Sequence, residues 1–61
     1  MFVLVQYSNN DMMDRMIITY NNNTEILRDI MDIWREYDKK EGIENVFYRI
    51  EYADKFRVSL N

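Results

Sequence analysis

The segment TEILRDIMDIWREYDKK, from Thr24 to Lys40, has the periodicity of an amphipathic helix. Its apolar residues recur at intervals of three and four, which is typical of a helix that packs one face against a core. These residues are Ile26, Leu27, Ile30, Met31, Ile33, Trp34 and Tyr37. Nearly all the other positions are charged, so they are expected to face water. We therefore predict that this helix covers a sheet, with Trp34 and Tyr37 in the core.

Both ends of the predicted helix carry capping residues. Asn22 and Asn23 are both suitable N-caps, and Asn22 has Glu25 three residues later, as in a capping box. At the other end, Lys39 and Lys40 complement the negative end of the helix dipole. Gly42 follows where a left-handed residue commonly ends a helix.

Short strands are predicted on both sides of the helix. Residues 2–7 are apolar on both faces, which indicates a central strand, and residues 13–20 are expected to pair with them as a hairpin. The loop length leaves the register open, and we favour the pairing of Leu4 with Met16 because it places four apolar residues on one face. Residues 46–52 and 56–60 alternate between apolar and polar, which predicts a second hairpin that turns at residues 53–54.

The predicted fold is therefore a single small α+β domain over residues 1–61, with the element order ββαββ. A right-handed crossover through the helix places the third strand beside the first. The expected four-stranded antiparallel sheet has the order 2-1-3-4, with the helix on one face.

Composition narrows the functional classes. The chain has 61 residues and a formal net charge of −3, with no Cys and no His. It therefore lacks the commonest general base, a thiol nucleophile and the ligands of a Cys/His zinc site, so we expect no enzyme activity, no metal and no cofactor. The negative charge disfavours direct binding of nucleic acid. The apolar run at the N-terminus is too short for a membrane span or signal peptide, which predicts a cytoplasmic protein, in the host cytoplasm if it is viral.

A row of acidic residues follows one line of the predicted helix. Its members are Glu25, Asp29, Asp32 and Glu36, which are spaced by four, three and four residues. Such a row resembles the spacing of phosphates and is a candidate surface for a protein that binds nucleic acid. The alternative is an ordinary solvated face, because Arg28, Arg35 and Lys39 lie within reach of these acids at i+3 and i+4.

The sheet face away from the helix is a second candidate surface, either for a protein partner or for a homodimer. It is predicted to expose more apolar area than a monomer usually tolerates. Its members are Val3, Val5, Tyr7, Ile17 and Phe47. Met12 and Met13, beside the first hairpin loop, would extend it with flexible thioethers, but the favoured alternative is that one of them caps the end of the core. Tyr7 and Phe47 also suit the stacking of single-stranded nucleic acid, which the net charge disfavours.

These patterns predict a small acidic protein-interaction module. In size and charge it resembles phage- or mobile-element-encoded inhibitors of host defence, such as anti-CRISPR proteins, or of nucleic-acid enzymes. Such a resemblance implies steric or electrostatic block of a partner that handles nucleic acid. The alternatives are a self-associating structural or regulatory module and, less favoured by charge, a single-stranded nucleic-acid platform.

Overall fold

The computed structural model describes residues 1–8 and 11–54, with the segment 11–14 described by its backbone alone. Within this part of the chain, one helix packs on a three-stranded antiparallel sheet. The elements are β1 (Phe2–Ser8), β2 (Asp11–Asn21), α1 (Thr24–Glu41) and β3 (Val46–Tyr52). The predicted α+β class is thus confirmed, and the three strands and the helix lie close to their predicted bounds.

The sheet order is β2-β1-β3, with β1 in the centre. Both faces of β1 are buried, with Leu4 in a cluster under the helix and Val3, Val5 and Tyr7 in a cluster on the other face, which is why β1 is apolar at both alternating sets of positions. The predicted fourth strand over residues 56–60 lies outside the described residues, so the four-stranded order 2-1-3-4 is not supported.

The predicted register of the first hairpin is wrong. Leu4 lies opposite Thr19 instead of Met16, and Met16 lies opposite Gln6. Two irregularities in the pairing of β1 with β2 cause the difference. In β1 they fall between Leu4 and Val5 and between Tyr7 and Ser8. Each places extra residues of β2 opposite β1, as a β-bulge does, and shifts the pairing beyond it. Turn chemistry and alternation alone do not reveal such an insertion.

The two ends of α1 are capped. Asn23 is the N-cap, and its side chain accepts a hydrogen bond of 2.9 Å from the backbone N–H of Glu25. At the other end the N–H of Ile43 donates to the carbonyl of Asp38 at 2.8 Å, and the N–H of Gly42 to that of Lys39 at 3.3 Å. This pair of bonds is a Schellman motif, with Gly42 left-handed at φ 69°.

We expect Gly42→Ala to lower the free energy of unfolding by about 1 kcal/mol, because an L-residue is strained at this φ. A Cβ at Gly42 would meet no atom within 4 Å, so the effect isolates backbone strain from packing. Gly42→Asn is the matched control and should have a smaller effect, since Asn tolerates the left-handed region. Urea denaturation measures both. Equal losses in the two variants would contradict this explanation.

The residues of α1 that pack against the sheet are not those at the centre of its apolar face. Leu27 is fully buried against Leu4 and Tyr48, and the side chains packed around this cluster include Ile30, Met31 and Trp34. By contrast, Ile26, Ile33 and Tyr37 are 43%, 67% and 57% exposed. The prediction that Tyr37 lies in the core is therefore wrong. The apolar arc spans roughly 160° at 100° per residue, and the sheet covers only the half that is centred on Leu27.

Candidate protein-binding surface

The outward side of α1 carries two parallel lines of side chains. One is the predicted acidic row, Glu25, Asp29, Asp32 and Glu36, all of which are exposed. The other, which we call the outer helix strip, consists of Ile26, Ile33 and Tyr37. At 100° per residue the strip lies roughly 90° from the acidic row and between that row and the buried face. Each line covers twelve residues, so its first and last members lie about 16 Å apart along the helix axis.

The outer helix strip borders a shallow apolar cavity. Ile33, Trp34 and Tyr37 line this open space of about 450 Å³. Trp34 is half-buried, and its ring meets that of Tyr48 edge-on at 6.5 Å. A large apolar side chain of a partner would therefore contact only apolar residues in this cavity, and one of them, Trp34, is held in place by its contact with the core. Such a surface suits protein contact.

The acidic row has basic neighbours, as the solvated-face alternative expects. Arg28, Arg35 and Lys39 are exposed and follow the line on the far side of the row from the strip. The helix surface thus changes in order from basic to acidic to apolar before it reaches the core. The acidic row is consequently the charged border of the outer helix strip, and the basic line is farther away.

The sheet face away from α1 is buried at its centre, so the expectation of an exposed patch there is wrong for three residues. Val3 and Val5 are 0% exposed and Tyr7 is 1% exposed. They form one cluster with Ala53, and Phe47 packs against it. The ring of Phe47 stacks on that of Tyr7 at 5.3 Å, so Tyr7 does not offer a free face to a nucleic-acid base.

Of the residues predicted for this face whose side chains are described, only Ile17 and Phe47 are accessible to solvent. Ile17 is 40% exposed, and Phe47 is half-buried. Met12 and Met13 lie in β2, and their side chains are outside the described part of the structure. Of the described side chains predicted for this face, only Ile17 is at least 40% exposed, whereas all three residues of the outer helix strip are.

A buried chain of polar groups joins the sheet to the last turns of α1. The Nε2 of Gln6 donates to the Tyr48 hydroxyl at 3.2 Å, and this hydroxyl donates to the Asp38 carboxylate. Asp38 is only 9% exposed. Burial raises the pKa of Tyr48, and the hydrogen bond to Asp38 raises it further. Asp38 was not among the residues predicted from the sequence, although it follows Trp34 by four residues and Met31 by seven and so lies on the buried line of the helix.

The buried polar chain opens on one side to a cavity of about 370 Å³. Its lining includes Arg35, Lys39 and Glu44 besides Asp38 and Tyr48. The cavity is wide and charged groups of both signs surround it. The hydrogen bonds from Gln6 to Tyr48 and from Tyr48 to Asp38 hold the C-terminal half of α1 on β3, and no buried side-chain nitrogen or oxygen of the described residues lacks a hydrogen-bond partner.

The Tyr7 hydroxyl donates a part-buried hydrogen bond to the Glu51 carboxylate on β3. Burial raises the pKa of Tyr7 above its ordinary value of 10.0, and the hydrogen bond and negative charge of Glu51 raise it further. The folded chain therefore keeps this proton to higher pH than the unfolded chain does. The corresponding stability is fully present below pH 10 and is lost as the pH rises through the raised pKa.

We expect Tyr7→Phe to weaken the loss of stability at alkaline pH. Between about pH 9 and pH 11 the free energy of unfolding should fall less steeply in this variant than in the wild type. Denaturant titrations at several pH values measure the slope. Tyr52→Phe is the matched control, because Tyr52 is exposed. The same slope in Tyr7→Phe and the wild type would contradict the assignment.

The described residues contain no helix that is both long and apolar enough to cross a membrane. They also contain no group of three or more His, Cys, Asp or Glu side chains placed to hold a metal ion.

Comparison with known proteins finds no family model, no curated protein and no solved structure that matches the chain.

Proposed function

We propose that this protein is a non-enzymatic interaction module that binds a partner protein through the outward side of α1. The observation that carries the proposal is the outer helix strip, three large apolar side chains that are 43–67% exposed beside four exposed carboxylates. Aromatic and aliphatic side chains supply affinity at protein interfaces, and charges at the border supply steering and specificity.

The acidic row favours a particular mode of action. Proteins that handle nucleic acid present basic surfaces to the phosphate backbone. Carboxylates spaced along about 16 Å of helix are complementary to such a surface, and the apolar strip beside them adds contact that phosphates do not offer. We propose that the protein acts by steric and electrostatic block of a partner of this kind, as an inhibitor encoded by a phage or mobile element does.

An affinity capture from the lysate of the source organism, or of its host, tests this function. The bait is used with and without nuclease, and the bound proteins are identified by mass spectrometry. A stoichiometric protein that survives nuclease treatment is expected. Ile33→Ser should abolish its capture, because the most exposed side chain of the strip is lost. The charge-reversed bait Asp29→Lys/Asp32→Lys should associate more slowly and with less dependence on salt.

The control bait is Glu44→Lys, which changes an exposed carboxylate outside the acidic row. It should capture the partner as the wild type does. Captured material that disappears with nuclease would instead favour a nucleic-acid platform. A bait that captures nothing and elutes as a dimer would favour the self-associating module. Capture that Ile33→Ser leaves unchanged would place the contact elsewhere on the protein.

A further inference from the structure

The occupant of the outer helix strip is constrained by the backbone of α1. In the middle of a helix, the main-chain N–H and C=O groups bond to one another, so the side of α1 offers a partner no free main-chain group. A segment that lies along the strip must satisfy its own backbone hydrogen bonds, and a helix does this within itself. An extended segment would instead pair at an edge of the sheet.

The spacing of the strip also matches a helix. Ile26, Ile33 and Tyr37 follow one another at seven and four residues, so they form a ridge with gaps of about one and two turns. Side chains at intervals of three or four on a second helix fit between such ridges. The cavity lined by Ile33, Trp34 and Tyr37 provides a place for one of them.

The charge of the border decides between partners. Two copies of this chain, packed strip to strip with antiparallel helices about a twofold axis, would put both acidic rows on the same side of the contact. Like charges would then face each other, and each chain already carries a net charge of −3. Nucleic acid is disfavoured for the same reason. A segment with Lys or Arg along that side is complementary instead.

We infer that the outer helix strip binds an amphipathic α-helical segment of about three turns, with apolar residues toward the strip and basic residues toward the acidic row. The inference rests on the proposed function and specifies the partner chemistry of the same surface. It also gives the order of contacts across the interface. The partner's apolar line covers Ile33 and Tyr37, and its basic line follows Asp29 and Asp32.

Defined peptides test this inference without the natural partner. The probe is a leucine–lysine peptide whose leucines have the helical spacing of three and four. One comparison peptide has glutamate in place of lysine, and another has the same composition with strictly alternating residues. Trp34 is the only Trp of the chain and lies beside the strip, so its fluorescence reports occupancy when the peptides contain none. Calorimetry gives the affinity independently.

The helical basic peptide should bind at least about tenfold more tightly than either comparison peptide. Ile33→Ser should weaken it by about tenfold or more, and Asp29→Lys by roughly threefold to tenfold. Glu44→Lys makes the same change of charge outside the row and should stay within about twofold of the wild type. All three positions are exposed, so circular dichroism and thermal unfolding should show a retained fold.

Several results would overturn the inference. Equal binding of the basic and acidic peptides would remove the role of charge, and equal binding of the alternating peptide would remove the helical match. A dimer that forms without peptide and is lost in Ile33→Ser would make a second copy the occupant, and displacement of the peptide by an oligothymidine would favour nucleic acid. If the peptides fail but cellular capture still depends on Ile33, the proposed function stands and only the helical partner is wrong.

Discussion

Leu27→Ala should unfold most of the protein at room temperature, whereas Ile33→Ala should leave its stability almost unchanged. Leu27 is fully buried between Leu4 and Tyr48, so its truncation removes apolar contact and opens a cavity at the helix–sheet boundary. Such changes lower the free energy of unfolding by about 2–5 kcal/mol. A domain of this size has little more than that in total. Ile33 is 67% exposed, and its truncation should change stability by less than about 0.5 kcal/mol.

Urea denaturation followed by far-ultraviolet circular dichroism measures this contrast. Both residues are aliphatic and lie on the same helix, and their helix propensities differ by only a few tenths of a kcal/mol, so a contrast of this size reports burial. Similar losses in both variants would show that Ile33 is buried in solution, as it would be in a self-associated form. Repeating the titration at several protein concentrations distinguishes that case, because the stability of an associated form depends on concentration.

The second large effect is expected from Tyr48→Phe, which should lower the free energy of unfolding by about 2–3 kcal/mol. The variant keeps the ring and removes the hydroxyl that donates to the Asp38 carboxylate. Asp38 is almost fully buried, so its charge would lose this partner without gaining full hydration. The carboxylate also lies near the negative end of the α1 dipole, which gives it no compensation.

A double variant separates the hydrogen bond from packing. When both partners are replaced by apolar groups of similar shape, the effect on stability is much smaller than when one is removed. Tyr48→Phe/Asp38→Leu should therefore recover a large part of the stability that Tyr48→Phe loses. Tyr37→Phe is the matched control, since the Tyr37 side chain is 57% exposed, and it should have little effect. A loss no larger in Tyr48→Phe than in Tyr37→Phe would show that water reaches Asp38.

The secondary structure followed closely from local sequence. The helix period, the Asn23 and Gly42 caps and the apolar character of β1 predict α1 and the central strand, because they act within a few residues of one another. The sheet order of the described strands agrees with a crossover that places the third strand beside the first. The register of the first hairpin could not be predicted in this way. Leu4 pairs with Thr19 because of a bulge that no local sequence pattern indicates.

The exposure of the candidate surface was predicted in part. The acidic row is exposed where the helical period places it, because a charged line on a helix faces water whichever apolar residues the sheet covers. The exposed apolar surface was predicted on the sheet, but Val3, Val5 and Tyr7 are buried there. The exposed apolar line is on the helix, at Ile26, Ile33 and Tyr37. An apolar arc wider than the sheet can cover leaves one flank outside, and the sequence does not show which flank.

By itself, the sequence determined the type and the ends of the elements, the acidity of one helix line and the absence of His and Cys chemistry. These properties depend on neighbouring residues and on composition. Only the tertiary structure decided that Leu27 and Asp38 face the core while Ile33 and Tyr37 face water. The rotation of the helix on the sheet makes that choice, and it depends on the fit of Leu27 against Leu4 and on the buried hydrogen bond between Asp38 and Tyr48.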